Sequence, residues 1–153
     1  MDDPIVPTLP FSPAKSQLSE LMNQVFHRHA LQLISRHGGK EQMLLVRPDD
    51  LLVMLGDQQI EVEAVYDPES VTLNVPAMGV LGFGDTLDEA LDDLVAELRA
   101  YASRFFRDPA RYWASGRGTH AGSLLRFALA DPDTQRAMLM GGVGATREPV
   151  GAA

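Results

Sequence analysis

The sequence predicts an α+β protein: a small α/β module, then an antiparallel β-meander covered by one long amphipathic helix, then short C-terminal helices. Three observations support this prediction. Short apolar segments separated by Gly, Pro and Asp are typical of strands and turns. The stretch from residue 87 to residue 105 carries apolar residues at helical spacing throughout. The chain has 153 residues, 45% hydrophobic and 22% charged, which is the composition of a globular protein.

The N-terminal residues predict an edge strand and then a helix. Prolines cannot donate to a strand ladder, so residues 5–9, set among three prolines, form an edge strand at most. Ser12 followed by Pro13 indicates a helix N-terminus. The expected helix of about 15 residues has one apolar stripe. Its members are Ala14, Leu18, Leu21, Met22 and Val25.

A β-hairpin and a short helix complete this first module. The apolar runs at residues 30–35 and 43–46 flank a turn at residues 36–40, whose glycines allow positive φ. Pro48 opens a short helix that Gly56 closes. Because so small a unit cannot bury its apolar stripe alone, we expect a homodimer through this module.

The middle of the chain predicts three strands beneath one helix. Segments at residues 60–66, 71–75 and 80–83 are short, apolar or alternating, and bounded by turn residues. Thr86 and Glu89 form a capping box at the start of the helix. The predicted buried stripe comprises Leu87, Ala90, Leu91, Leu94, Val95, Leu98, Tyr101, Ala102 and Phe105.

Composition and charge divide the chain into three predicted regions, residues 1–57, 58–106 and 107–153. They carry net charges of −2, −8 and +2, within a total of −8. Without a uniform basic surface, any DNA contact has to come from a local cluster that dimerisation doubles. In the last region residues 123–140 predict two short helices, and the glycine-rich end from residue 141 is expected to fray.

Membrane, metal and catalytic roles find little support in the sequence. No apolar run approaches the ~20 residues that span a bilayer, so we expect no membrane partner. The lack of cysteine excludes thiolate catalysis and makes a reducing cytoplasm the expected location. His27, His29 and His37 admit a metal site or ordinary polar histidines near a turn. The lack of a carboxylate at helical spacing favours the second interpretation, so no metal and no cofactor is expected.

Two other segments admit both a functional and a structural interpretation. Residues 82–86 precede a helix, where an anion can bind, but they lack the third glycine of a dinucleotide fingerprint, which favours a turn and cap. Asp88, Asp92 and Asp93 admit a hydrolytic or metal cluster, or a solvated helix face near the positive helix end. The second is favoured because no histidine accompanies them.

Four short segments of the first module occur in an order typical of one protein family. They are Ser-Pro-Ala-Lys at residues 12–15, Ile-Ser-Arg-His-Gly at 34–38, Leu-Leu-Val at 44–46 and Pro-Asp-Asp at 48–50. With Leu18, Leu21, Val25 and Leu55 they resemble the prevent-host-death antitoxins, the Phd/YefM family. The resemblance implies a homodimer that binds operator DNA of its own operon and masks a protein toxin. It marks as candidate DNA contacts Lys15, Arg28, Arg36 and Lys40; the alternative is that these are surface charges.

The middle region carries a second resemblance. Residues 84–91 read Gly-Asp-Thr-Leu-Asp-Glu-Ala-Leu and follow the strand at 71–75 and a Pro-to-Gly connection. The HicB-type antitoxin fold is similar: its members start a helix on a small sheet with G-D-T-x-x-E-A. Both resemblances imply the same functional class.

The sequence therefore predicts a non-enzymatic antitoxin of a type II toxin–antitoxin system, whose partner is a RelE-type ribonuclease toxin. Toxin contact is expected within residues 107–140, which combine apolar anchors and charge. The candidates are Tyr112, Trp113, Leu124, Leu125, Arg126, Phe127 and Leu129. These residues could instead cover the meander of their own chain. The alternative functions are a small-molecule or structural binding domain without DNA binding, and a small hydrolase that uses the acidic helix.

Overall fold

A computed structural model of the chain describes residues 4–56 and 59–147. The chain folds as two units, Met1–Gly56 and Asp57–Ala153, each with its own sheet. Residues 107–147 lie in the same unit as the meander. None of the helices in the described ranges is both long and apolar enough to cross a bilayer.

The first unit consists of a three-stranded sheet and three helices. The order is β1 (Thr8–Pro10), α1 (Phe11–Ser16), α2 (Leu18–Arg28), β2 (Gln32–Arg36), β3 (Glu41–Leu45) and α3 (Pro48–Leu55). The central strand β2 is parallel to β1 and antiparallel to β3. The predicted hairpin and the predicted short helix are confirmed. The prolines leave β1 three residues long and at the edge of the sheet, as expected.

The single predicted N-terminal helix is in fact two helices that meet at Gln17. Ser12 lies inside α1 and forms no cap hydrogen bond, so the predicted N-cap is wrong. Pro10 occupies that position instead, with φ −61° and ψ 154°. It is the last residue of β1, and its extended conformation leads directly from strand to helix. Nothing in the sequence around Gln17 explains the break.

The second unit places helices against a four-stranded sheet. The order is β4 (Val62–Tyr66), β5 (Val71–Val75), β6 (Val80–Gly84), α4 (Leu87–Arg107), α5 (Pro109–Ala114), a 3₁₀ turn (Arg117–His120), α6 (Ala121–Leu129), α7 (Pro132–Gly141) and β7 (Val143–Arg147). The strands lie in the order β6-β5-β4-β7. The first three form the predicted antiparallel meander, whereas β7 pairs with β4 in parallel, so the sheet is mixed.

Helix α4 covers one face of this sheet with the predicted stripe. Seven of its stripe residues are buried, and Leu87 and Val95 pack against them from the margin. The helix lies close to β6 because Gly82 has no side chain there. A Cβ atom at Gly82 would lie 2.5 Å from the backbone nitrogen of Leu94 and 2.6 Å from the carbonyl oxygen of Ala90. Only glycine at this position permits so close an approach.

The start of α4 is held by a cap that differs in one partner from the prediction. The hydroxyl oxygen of Thr86 accepts a hydrogen bond from the backbone N–H of Glu89, at 3.2 Å, as a capping box requires. The Glu89 carboxylate accepts from the backbone N–H of Asp85, at 2.9 Å, and not from that of Thr86. The turn-and-cap interpretation of residues 82–86 is therefore the one that the structure supports.

The last described residues of the chain form a strand that the sequence did not predict. Residues 143–147 form a strand, so the expectation that this end frays is wrong for them; residues 148–153 lie outside the described residues. The backbone N–H of Val62 donates to the carbonyl oxygen of Gly142 at 2.8 Å, next to the pairing of β7 with β4. Backbone pairing needs no apolar side chains, which is why a glycine-rich segment completes the sheet.

Candidate nucleic-acid and toxin interfaces

One end of the first sheet brings the β2–β3 turn next to the start of α1. The turn residues His37, Gly38 and Gly39 have φ of 54°, 66° and 85°, in the left-handed region that glycine favours. A groove of about 580 Å³ separates this turn from α1. It is lined by Pro10, Phe11, Ser12, Ser35, Arg36, His37, Gly38 and Gly39.

Three of the four candidate DNA contacts lie towards this end. Arg36 ends β2, Lys40 closes the turn, and Lys15 lies one helical turn beyond Ser12 on α1. All three side chains are exposed. The Arg36 guanidinium donates to the Glu41 carboxylate, which neutralises part of its charge. We call Lys15, Arg36 and Lys40 the basic end of the first unit.

Arg28 lies at the opposite end of the same sheet. It is the last residue of α2, and β2 begins four residues later at Gln32, about 13–17 Å from Arg36 along a five-residue strand. This end has its own charge pairs: His29 Nδ1 lies 2.8 Å from Asp50, and Arg47 lies 3.3 Å from Asp49. The four candidate bases therefore do not form one cluster within a single chain.

The predicted apolar stripe of the first unit is only partly buried. Ala14, Leu21 and Val25 are buried, whereas Leu18 and Met22 are 44% and 56% exposed. With Phe26 they form a row at four-residue spacing on α2, which we call the exposed apolar row. Further exposed apolar side chains of this unit are Ile5, Phe11, Met43, Leu44, Val53 and Met54.

The candidate toxin contacts separate into buried and exposed residues. Leu124 and Phe127 are completely buried in the core of the second unit, so the prediction that they contact a toxin does not fit this structure. Tyr112 is half-buried against the same core, with its ring centroid 4.9 Å from that of Phe105. All three pack against the core of their own unit. Trp113 and Leu129 are exposed, and Leu125 and Arg126 are half-buried.

The acidic face of α4 makes structural contacts. Arg136 on α7 pairs with Asp92 and, at 2.8 Å, with Asp88. The Asp93 carboxylate accepts from the backbone N–H of Phe83 at 2.8 Å. No group of three His, Asp or Glu side chains in residues 4–56 and 59–147 is arranged to hold a metal ion. Asp88 and Asp92 thus connect α4 to α7, and Asp93 connects α4 to β6.

Comparison with known proteins identifies the family. A family model described as "Antitoxin of toxin-antitoxin, RelE / RelB, TA system" (PHD_like) matches residues 6–141. The chain belongs to this antitoxin family. The finer resemblances, of residues 1–57 to the Phd/YefM group and of residues 58–106 to HicB, stay predictions.

A solved structure has the same fold as this antitoxin. It is the crystal structure of the antitoxin part of a proposed toxin/antitoxin system from Syntrophomonas wolfei subsp. wolfei. The TM-score is 0.77 at 17% sequence identity, over 93% of this chain and 99% of that one. At this identity the likeness concerns the fold, which confirms the predicted α+β class. No curated protein matches the sequence significantly.

Sequence reasoning missed two features of these surfaces. Helix α5, with Tyr112 on its inner side and Trp113 61% exposed, was not predicted because six residues are too few for a periodic pattern. Proline after Asp108 was the available signal, since proline favours the first turn of a helix. The exposure of Leu18 and Met22 carries no sequence signal, because periodicity marks a stripe without showing what covers it.

Proposed function

We propose that this antitoxin acts as a homodimer that neutralises a RelE-type ribonuclease and binds the operator of its own operon through the first unit. The exposed apolar row of α2 carries the proposal. Within residues 4–56 the buried apolar side chains are Ala14, Leu21 and Val25, a small core for a unit of this size. A second copy, related by a two-fold axis, brings an identical row to cover this one.

Dimerisation also supports operator binding. In a two-fold dimer the basic end occurs twice, so Lys15, Arg36 and Lys40 present six basic side chains on a protein of net negative charge. Contacts from such side chains to DNA phosphates position a protein on the duplex and make its affinity depend on salt. We assign the DNA contact to the basic end and not to Arg28, which lies at the other end of β2.

A DNA titration tests this role. The full-length protein is titrated with the promoter fragment upstream of its gene at two salt concentrations. If about four phosphates are neutralised, log K falls with log salt at a slope of roughly −3.6. Replacing Lys15 and Lys40 together by Ala weakens binding to all sequences and flattens this slope. Arg28→Ala, which removes one exposed charge from the opposite end, leaves the slope unchanged.

The possible results separate the parts of the proposal. If the wild type does not bind at low salt, the operator role is wrong and toxin neutralisation stands alone. If Arg28→Ala weakens binding as much as the lysine variant, the assignment to the basic end is wrong.

The family description names RelE and RelB, which supports a RelE-type toxin as the partner. We propose Trp113 as a toxin contact, because tryptophan is enriched at interface hot spots and this one is 61% exposed. Leu129, exposed at the end of α6, is a second proposed contact. Leu125 and Arg126 contribute less because they are half-buried.

Co-expression with the neighbouring toxin gene tests neutralisation. The wild type restores growth and retains the toxin in a pull-down. Trp113→Ala weakens the complex roughly 30-fold, the effect of losing a hot spot of about 2 kcal/mol. Tyr66→Ala, which truncates an exposed aromatic residue on β4, is the matched control. A protein that binds neither toxin nor operator would instead be a structural or small-molecule binding domain.

A further inference from the structure

The second unit contains a pocket that no role described so far explains. It has a volume of about 370 Å³ and is lined by Arg104, Arg111, Tyr112, Ser115 and Arg117. The arginines come from three different elements: the last turns of α4, helix α5 and the 3₁₀ turn. The pocket therefore exists only because the fold brings these elements together.

The arginines of this pocket form no ion pair with the described carboxylates of the second unit. No carboxylate lines it, and within residues 59–147 none of the three guanidinium groups has a carboxylate partner. Arg136 shows the ordinary arrangement, since it pairs with Asp88 and Asp92. Three like charges around one concave site repel one another, although the chain as a whole has a net charge of −8. A bound anion removes this repulsion.

Arg104 and Arg117 also line a neighbouring groove, together with Tyr101 and the acidic residues Asp93 and Glu97. Burial raises the pKa of the Tyr101 phenol, and the two arginines oppose that rise because they stabilise the phenolate. The nearest acidic residue of this groove on α4 is Glu97, seven residues or about 10 Å before Arg104 along the helix.

We propose that the arginine pocket, Arg104, Arg111 and Arg117, binds a dianionic phosphoryl group, that of free phosphate or of a phosphomonoester. Guanidinium groups are planar forks that donate two parallel hydrogen bonds to phosphate oxygens. A terminal phosphoryl group has three acceptor oxygens, one for each arginine, and a charge near −2, which offsets most of the three positive charges. A carboxylate has two oxygens and one charge, and a backbone phosphodiester has one charge, so both offset less of the charge in the pocket.

Titration of the full-length protein with inorganic phosphate tests this site. The experiment uses calorimetry or ³¹P NMR in a phosphate-free buffer at constant ionic strength. The wild type shows saturable binding, and Arg104→Ala, Arg111→Ala and Arg117→Ala each weaken it about tenfold, the effect of losing charge-assisted hydrogen bonds. Arg117→Lys keeps the charge without the fork and loses less. Arg107→Ala is the matched control, because it removes one charge from the same helix end outside the pocket.

A parallel titration with adenosine monophosphate distinguishes the two sources of the phosphoryl group. Equal affinity for both probes assigns the site to free phosphate, and tighter binding of the nucleotide assigns it to a nucleotide phosphate. All replaced arginines are exposed, and circular dichroism verifies that each variant keeps its fold.

Three results would overturn the proposal. The wild type could show no saturable phosphate binding, or Arg107→Ala could cause the same loss as the pocket variants. Single-stranded RNA could bind in a manner that the three arginines control and that phosphate does not displace. That result would mean a nucleic-acid backbone site instead.

Discussion

The two units of this antitoxin bury their apolar side chains to very different degrees. In the second unit three strands and helices α4, α6 and α7 contribute to one buried cluster, with Phe105 and Phe127 almost inaccessible to solvent. In residues 4–56 several large apolar side chains stay exposed, among them Val53 at 81% and Met22 at 56%. The difference shows that apolar content does not by itself form a core. A long helix laid across a sheet covers it, whereas short helices beside a three-stranded sheet do not.

Helix capping shows the same difference. In residues 4–56 none of the three helices has a side-chain hydrogen bond at its N-cap. In the second unit Thr86 caps α4 and Asp131 caps α7. Helix caps and its own buried core thus stabilise the second unit. The first unit depends more on the burial of its exposed apolar side chains.

The largest expected effect is the loss of core packing in the second unit. Leu94→Ala and Leu98→Ala each remove a completely buried side chain and lower the free energy of unfolding by about 2–5 kcal/mol. Denaturant titration measures the change. Leu129→Ala makes the same substitution at an exposed position and serves as the control. Equal stability of all three variants would contradict the core described for α4.

The second prediction concerns assembly of the first unit. Met22→Asp places a charge in the middle of the exposed apolar row, so the dimer dissociation constant rises at least about tenfold, the effect of losing one buried methionine. Sedimentation at several protein concentrations measures it. Asn23→Asp introduces the same charge one position along α2 and is the control. A wild type that is monomeric at micromolar concentration would contradict the self-association proposed for this unit.

A smaller effect is expected at the cap of α4. Thr86→Ala removes the oxygen that accepts from the Glu89 N–H and costs about 1 kcal/mol of unfolding free energy. Thr86→Ser keeps that oxygen and most of the stability. If thermal unfolding shows equal losses for both variants, the hydroxyl group does not stabilise this helix.

The smallest effect concerns the pH dependence of α7. Asp131 accepts from the backbone N–H of Thr134, which lowers the pKa of its carboxyl group from the usual 3.8. Because the folded pKa is below the unfolded one, this stabilisation is present above pH 3.8 and disappears as the pH falls through the folded pKa. Asp131→Asn keeps an acceptor oxygen that does not titrate. Melting temperatures of the two proteins should therefore converge on acidification, and a constant difference would contradict the assignment.

Much of the architecture could be predicted because local patterns specify it. The hairpin follows from the glycine turn at Gly38 and Gly39, and α4 follows from an uninterrupted stripe behind the cap at Thr86. Features without a local pattern were predicted wrongly or missed. The helix break at Gln17 has no marker, and β7 joins the sheet by parallel backbone pairing with β4, which no local sequence pattern indicates. A candidate site chosen by residue type also mixed exposed Trp113 with buried Phe127, because both are aromatic.

The sequence by itself determined the α+β class, the meander under α4 and the family resemblance, since these depend on periodicity and caps between neighbouring residues. Only the tertiary structure decided which apolar residues form the core and which stay exposed. It also placed Arg28 at the end of α2, before β2 begins, and Arg36 where β2 ends, and it brought Arg104, Arg111 and Arg117 around one pocket. Burial and charge clustering depend on distances between residues far apart in the chain, and a linear pattern does not contain those distances.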